Sequence, residues 1–373
     1  MGLTILYVGS LDERGTCFHR MQAARSLGHQ ILPLDMDGRS PLFPRWLAAG
    51  IAKADHRAAN WRLDLTRLNR RLEHMVSRLA HADVVWFDKP LTIRLAALRR
   101  IRARMPGAVL ATYSPDDQMN PANHSRLYLR CLPHYDIVFT TKSFNVPELT
   151  AVGARDVRLI GVGFDPATHR PVELTAEERG EYGCQVSFIG TYEGQRAHWL
   201  SRLAADPLEL KVWGNGWQER KLSGPLAKAV QGRAVNGGDY PRAVCASQIN
   251  LAFLRKAMRD QVTTRSVEIP ACGGFMLAER TREHMDYFDE DKEAAFFSTF
   301  EEMREKIHYY LQHPKARQAI ARAGRRRCLE SGYSNQDRMR QMLAEVERVR
   351  QKLSRQPGEP AEGIGAGRRS AGG

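Results

Sequence analysis

Short apolar runs alternate along this chain with longer segments whose apolar positions recur every three to four residues. Continuous apolar runs suit strands buried on both faces, and the period between them is that of a helix with one buried stripe. A first series predicts strands over residues 3–8, 30–34, 84–87, 108–113 and 137–141. A second predicts strands over 186–190, 208–213, 249–253, 275–278 and 294–297. Strands alternating with helices build parallel sheets covered on both sides, so the pattern predicts two doubly wound, Rossmann-like α/β domains. Between the first two strands lies a Gly-containing turn and an amphipathic helix, but no G-x-G-x-x-G, so a dinucleotide cofactor is not indicated.

Glycine and proline interrupt both periods between residues 160 and 174. This places a domain joint near residue 165, with a first domain over 1–165, a second over 166–335 and a helical segment over 336–355. Residues 356–373 are rich in Gly, Ala, Pro and Glu, have little to bury and are expected to be disordered. A length of 373 residues, beyond what one core usually holds, agrees with two domains.

Six scattered cysteines without a C-x-x-C pair argue against a zinc site or a disulfide framework, and for a reducing compartment. No apolar run approaches the roughly 18 residues of a membrane span, and the N-terminus lacks the order of a signal peptide. A cytoplasmic protein is therefore expected. The formal charge of +14 predicts an acidic partner without choosing among nucleic acid, anionic lipid and phosphorylated substrate.

The densest chemistry lies between Arg265 and Phe297. Glu268 sits in an apolar run before Gly273 and Gly274, where an unpaired carboxylate is costly unless a ligand or donor satisfies it. Thr263 and Thr264 are candidate N-caps, so the free N–H groups of the helix they open would face the strand ends and suit a diphosphate. Asp260 precedes Glu268 by eight positions, and Arg265 is either a phosphate ligand or the partner of a carboxylate. The R-x-x-E-x-x-A-C-G-G core from Arg265 to Gly274, followed by a strand and an acidic segment, resembles GT-B glycosyltransferases, most closely their CgeB-like, spore-maturation branch. The segment from Gly163 to Pro171 resembles the interdomain stretch of the same enzymes.

That resemblance implies a GT-B fold, two Rossmann-like domains facing a cleft, with the acceptor on the first domain, a nucleotide-sugar donor on the second and the segment 336–355 crossing back. It implies that Glu268 binds the ribose hydroxyls and that Asp260 takes the slot nearest the sugar, although Asp is one methylene shorter than the usual Glu. Gly190, Thr191 and Arg196 follow the first strand of the second domain, and Arg196 matches the cation that these enzymes set against the donor pyrophosphate. Its competing reading is a helix-surface arginine.

Trp213 and Asn215, in a glycine-containing turn, either flank a nucleobase or belong to the core. Asp116 and Asp117 follow a first-domain strand, where Asp117 could orient an acceptor hydroxyl. His19 could do the same or be structural. A metal site at the aspartates lacks further ligands at suitable spacing, so no metal and no cofactor beyond the nucleotide-sugar co-substrate are expected. Residues 44–78 interleave Trp46, Trp61 and aliphatic residues with eight basic ones, a composition suited either to an anionic membrane surface or to a helix packed on the sheet with a wet basic face.

The leading expectation is a hexosyltransferase-like, retaining glycosyltransferase acting on a glycan or lipid-linked acceptor of the envelope, peripheral at the inner membrane face. A nucleotide-sugar 2-epimerase is the second. A basic nucleic-acid-binding protein is the third, although no recognition module or stacking platform is present and no nucleic acid is expected as a partner.

Overall fold

The computed structural model describes residues 2–38 and 43–355. The first sheet comprises β1 (Thr4–Gly9), β2 (Gln30–Asp35), β3 (Val84–Asp88), β4 (Val109–Ser114), β5 (Ile137–Thr140) and β6 (Val157–Leu159). The second comprises β7 (Cys184–Ile189), β8 (Leu210–Trp213), β9 (Ser247–Ala252), β10 (Met276–Glu279) and β11 (Ala295–Phe297). Each pairing in both sheets is parallel. The central strands are buried on both faces, β3 and β4 along their whole length, which is why they read as unbroken apolar runs.

Strand order is β2-β1-β3-β4-β5-β6 in the first sheet and β11-β10-β9-β7-β8 in the second. The order reverses at β1/β3 and at β7/β9. Helices leave to opposite faces at such a point, so each sheet has a crevice at the carboxyl ends of those strands. Apolar clusters fill both faces of each sheet.

The chain crosses between domains twice, and the crossings are tied together. The Phe164 N–H donates to the Tyr333 carbonyl (3.1 Å), and the Asn335 N–H donates to the Phe164 carbonyl (2.7 Å). At Gly161 the Arg338 guanidinium and the Tyr287 hydroxyl lie where a Cβ would stand, so both pack directly on the crossing backbone. The second crossing leads into the helix Asn335–Arg355, whose Met339, Met342, Leu343, Val346 and Val349 follow helical spacing and complete the core over β4 and β5 beside Met21 and Ala24. The expectation of disorder over 356–373 falls outside the described residues.

The basic stretch 44–78 is two helices, Arg45–Ala58 and Leu68–Arg78, rather than one. Asn60, Arg62 and Arg67 between them take left-handed backbone (φ 53°, 56° and 53°), which breaks the helical path. The second helix packs into the first domain through Leu68, Leu72 and Val76, while Trp46 on the first is 75% exposed.

Candidate functional site

A cavity of about 1330 Å³ opens between the domains at the carboxyl ends of the first sheet. Ser10 follows β1, Lys89 follows β3, Asp116 follows β4 and Lys142 follows β5, and all four line it. From the second domain come Arg255, Asp260, Thr263 and Thr264, on the segment after β9.

That segment is fastened to the first domain by charge. Asp260 accepts from Lys142 Nζ (2.8 Å) and from Arg255 Nε (2.9 Å), and neither Asp260 nor Lys142 meets solvent appreciably. Lys142 also donates to the Val262 carbonyl at 3.0 Å. Arg255 reaches Asp116 at 3.3 Å, and Asp116 is paired on its other side with Lys89. Burial opposes ionisation of Asp116, but the Lys89 ammonium and the Arg255 guanidinium hold its carboxyl below the ordinary value.

Asp117 does not face the cavity. Arg259 crosses from the second domain and clasps it through Nε (2.7 Å) and Nη2 (2.8 Å), while Asn145 donates to it at 3.0 Å. Burial raises its carboxyl, but Arg259, Asn145 and the Met119 N–H outweigh that and lower it. Of the two aspartates after β4, it is Asp116 that lines the cavity. Arg259 has left-handed backbone (φ 52°), held by these bonds and by its pair with Glu148 (2.7 Å).

Next to the β7/β9 reversal, Gly190 and Gly214 bring the loops after β7 and β8 together. Gly214 has φ +148°, and a Cβ on it would overlap the Gly190 carbonyl oxygen. Arg196, on the helix Gly194–Leu203, lies buried between these strand ends and donates to the carbonyls of Thr191 and Phe253, each at 3.2 Å. Its Nε makes no hydrogen bond, although Glu193 lies at ion-pair distance (3.3 Å). Burial pushes the Arg196 pKa down, Glu193 opposes that, and Arg255 adds to it. A surface arginine it is not. Thr191 and Asn215 are exposed, and the Asn215 carbonyl receives the Tyr192 N–H at 2.9 Å. Trp213 is 2% exposed and packs with Tyr182, so it belongs to the core rather than to a nucleobase platform.

Glu268 lies behind Thr264 on the short helix Arg265–Ala271, 3% exposed and outside the cavity lining. Arg265 Nη1 donates to its Oε2 at 2.5 Å, and His169 Nε2 lies 3.7 Å from its Oε1. Arg265 also stacks over the Tyr240 ring at 4.2 Å. Burial works against the Glu268 carboxylate, yet Arg265 and then His169 hold its carboxyl below the usual range. Arg265 is thus the partner of a carboxylate. Neither threonine caps this helix: Thr264 is itself helical in backbone and makes no side-chain cap, and the Thr263 N–H donates to the Ser266 hydroxyl.

His19 points toward the same cluster. Its ring meets that of His169 edge-on at 6.2 Å, and its buried Nδ1 has no hydrogen-bond partner. Sequence reasoning singled out Glu268, Arg265 and His19 separately, but not His169 between them. Lys142, Arg20 and Asp88 were also missed. Only their places after or beside strand ends could have marked them. Among the described residues no group of His, Cys, Asp and Glu is placed to hold a metal ion, and no helix is long and apolar enough to cross a membrane.

Residues 195–344 match the profile of a family described as glycosyl transferase-like. No curated protein sequence matches the chain. Among solved structures, sucrose-phosphate synthase from Thermosynechococcus elongatus is similar over 93% of this chain and 99% of its own, with TM-score 0.65 and 12% identity. Anabaena HepE in complex with UDP-glucose is similar over 93% and 100%, with TM-score 0.58 and 12% identity. A putative UDP-N-acetylglucosamine 2-epimerase from Listeria monocytogenes is similar over 93% and 96%, with TM-score 0.55 and 11% identity. These likenesses establish the GT-B fold: two parallel-sheet α/β domains facing a cleft.

Proposed function

We propose that the protein is a glycosyltransferase that moves a sugar from a nucleotide-sugar donor on the second domain to an acceptor on the first. One observation carries the reading: the stretch matched by the glycosyl transferase-like profile contains the Glu268–Arg265 pair and Arg196, together with Arg255, Asp260, Thr263 and Thr264, which line the interdomain cavity. Fold alone would not license an activity.

In this reading Glu268 takes the ribose hydroxyls, reached past Thr263 and Thr264, while Arg265 and His169 keep its carboxylate ionised and aimed. Arg196, with the backbone at Gly190 and Thr191, steadies the departing diphosphate, whose charge grows toward the transition state. The acceptor hydroxyl oxygen bonds to the anomeric carbon as the sugar–phosphate bond breaks, and the hydroxyl proton passes to a donor phosphate oxygen, so retention needs no protein base. Asp260 fixes Lys142 and Arg255 at the cavity wall, and Asp116, on the same wall, orients the acceptor hydroxyl, a role that His19, with its Nδ1 buried outside the cavity lining, does not take. No metal is required by this scheme. The basic stretch 44–78, with exposed Trp46, is proposed to meet an anionic membrane that presents an envelope acceptor.

The 2-epimerase remains the second reading, favoured by the likeness to the Listeria protein. A thermal-shift screen of nucleoside diphosphates and their sugars, with UDP first, tests donor binding by mass action. Chromatography of the products then separates the two activities, since an epimerase yields no glycosylated acceptor. A protein that responds to none of these ligands contradicts both.

A further inference from the structure

The interdomain cavity differs in character from the chain around it. The protein carries a formal charge of +14, yet each cation lining this cavity faces a carboxylate. Arg20 is clasped by Asp88, Lys89 by Asp116 and Lys142 by Asp260, and Arg255 is shared between Asp116 and Asp260. Asp37 and Asp64 line the cavity as well, so its carboxylates outnumber its cations. Asp88, Lys142 and Asp260 are almost wholly buried, which puts these pairs at the floor. A floor of paired charges presents no unpaired lining cation to an added anion but offers hydrogen-bond donors and acceptors side by side, as the hydroxyls of an uncharged sugar require.

The outer wall is largely apolar, with Asp37, Asp64 and Thr66 between its apolar side chains. Met36, Phe43, Ala52, Leu63, Leu65 and Leu91 line it, from the segment after β2, the helix Arg45–Ala58, the loop between that helix and the helix Leu68–Arg78, and the loop after β3. Leu63 is 47% exposed, and a large side chain left open on the wall of a cavity marks a place where apolar ligand surface is covered.

We infer that the acceptor is an uncharged glycoside with an apolar aglycone, its sugar on the paired floor and its aglycone against Leu63, Leu65 and Leu91. This rests on the glycosyltransferase reading and adds the acceptor class to it. The aglycone chemistry is shared by a lipid chain and by a small aromatic group.

The test uses the whole protein and matched methyl, octyl and phenyl glycosides of several common sugars, with the corresponding glycosyl phosphates as anionic controls. Binding is read directly by ligand-observed NMR, below the octyl compounds' micelle threshold. For at least one sugar, the octyl or the phenyl glycoside should bind at least about tenfold tighter than the methyl glycoside, because several methylenes or a ring leave water. A preference for octyl points to a lipid source, and one for phenyl to an aromatic source. Leu63→Asp, at an exposed position that the fold tolerates, should erase that preference and leave nucleoside diphosphate affinity unchanged. Equal binding of methyl, octyl and phenyl glycosides, or tightest binding by a glycosyl phosphate, overturns the inference. Nucleoside diphosphate binding, measured separately by calorimetry, keeps the failures apart: intact donor binding with no aglycone preference sinks this inference alone, whereas absent donor binding sinks the glycosyltransferase reading and this inference with it.

Discussion

Each sheet carries a buried arginine beside its reversal point, on the helix that follows the first strand of the domain, yet the two are satisfied differently. Arg20, after β1, meets Asp88 through two parallel bonds, Nε to Oδ2 at 2.8 Å and Nη2 to Oδ1 at 2.9 Å. Tyr7 adds its hydroxyl to the same carboxylate at 2.9 Å. Arg196, after β7, donates only to two main-chain carbonyls, with Glu193 as a looser ionic neighbour and an Nε that bonds to nothing. A guanidinium closed on a carboxylate has its charge cancelled inside the protein, whereas one held by carbonyl dipoles keeps most of it for an incoming anion. The difference fits an architectural Arg20 and, under the proposed function, an Arg196 whose charge is left for the donor diphosphate.

The largest effect should come from opening the closed pair. Asp88→Ala leaves Arg20 buried without its counter-ion and should lower stability by about 3–5 kcal/mol, read from urea unfolding. A loss no larger than that of Arg196→Ala would erase the contrast between the two sites. Arg196→Ala should instead act on chemistry, lowering kcat roughly 100- to 1,000-fold while donor affinity falls much less. Weakened donor affinity with turnover intact would make Arg196 a binding residue only.

Acid sharpens the comparison at the domain interface. Asp116, Asp117 and Glu268 all have carboxyl pKa values below the ordinary ones, so their stabilisation is complete above about pH 4 and is lost as pH falls through the lowered values. Asp117→Asn, which removes the charge that Arg259 grips, should flatten the acid limb of the stability curve. An unchanged limb would mean that the clasp contributes nothing. The smallest effect concerns a feature of the first domain alone. Its basic stretch should give salt-sensitive flotation with anionic vesicles, at about 1 kcal/mol per basic residue near the surface. Equal indifference to anionic and neutral vesicles would leave residues 44–78 as packed helices with a wet face.

What the sequence discloses follows from what each residue's neighbours are. Ten of the strands are legible as apolar runs, most plainly the central ones, where burial on both faces demands unbroken runs, as in Val84–Asp88. β6 is not, since Arg158 and Leu159 lie exposed at the sheet edge and carry no such signal. Glu268 is conspicuous as a carboxylate in an apolar run, but its pairing with His169 joins segments far apart in the chain. Asp260 likewise stands out, yet nothing local tells that Lys142 occupies it. Trp213 shows the limit of composition: the glycines beside it mark a tight turn, whereas its burial depends on Tyr182 and the sheet.

The central claim is that the second domain holds a nucleotide-sugar through Glu268. Calorimetric titration of wild type and Glu268→Ala with the nucleoside diphosphate that stabilises the protein best tests it most directly, with circular dichroism confirming that the variant is folded. Loss of hydrogen bonds between a charged carboxylate and the ribose should weaken binding by roughly 1.5–3 kcal/mol. Equal affinity of the two proteins would contradict the account.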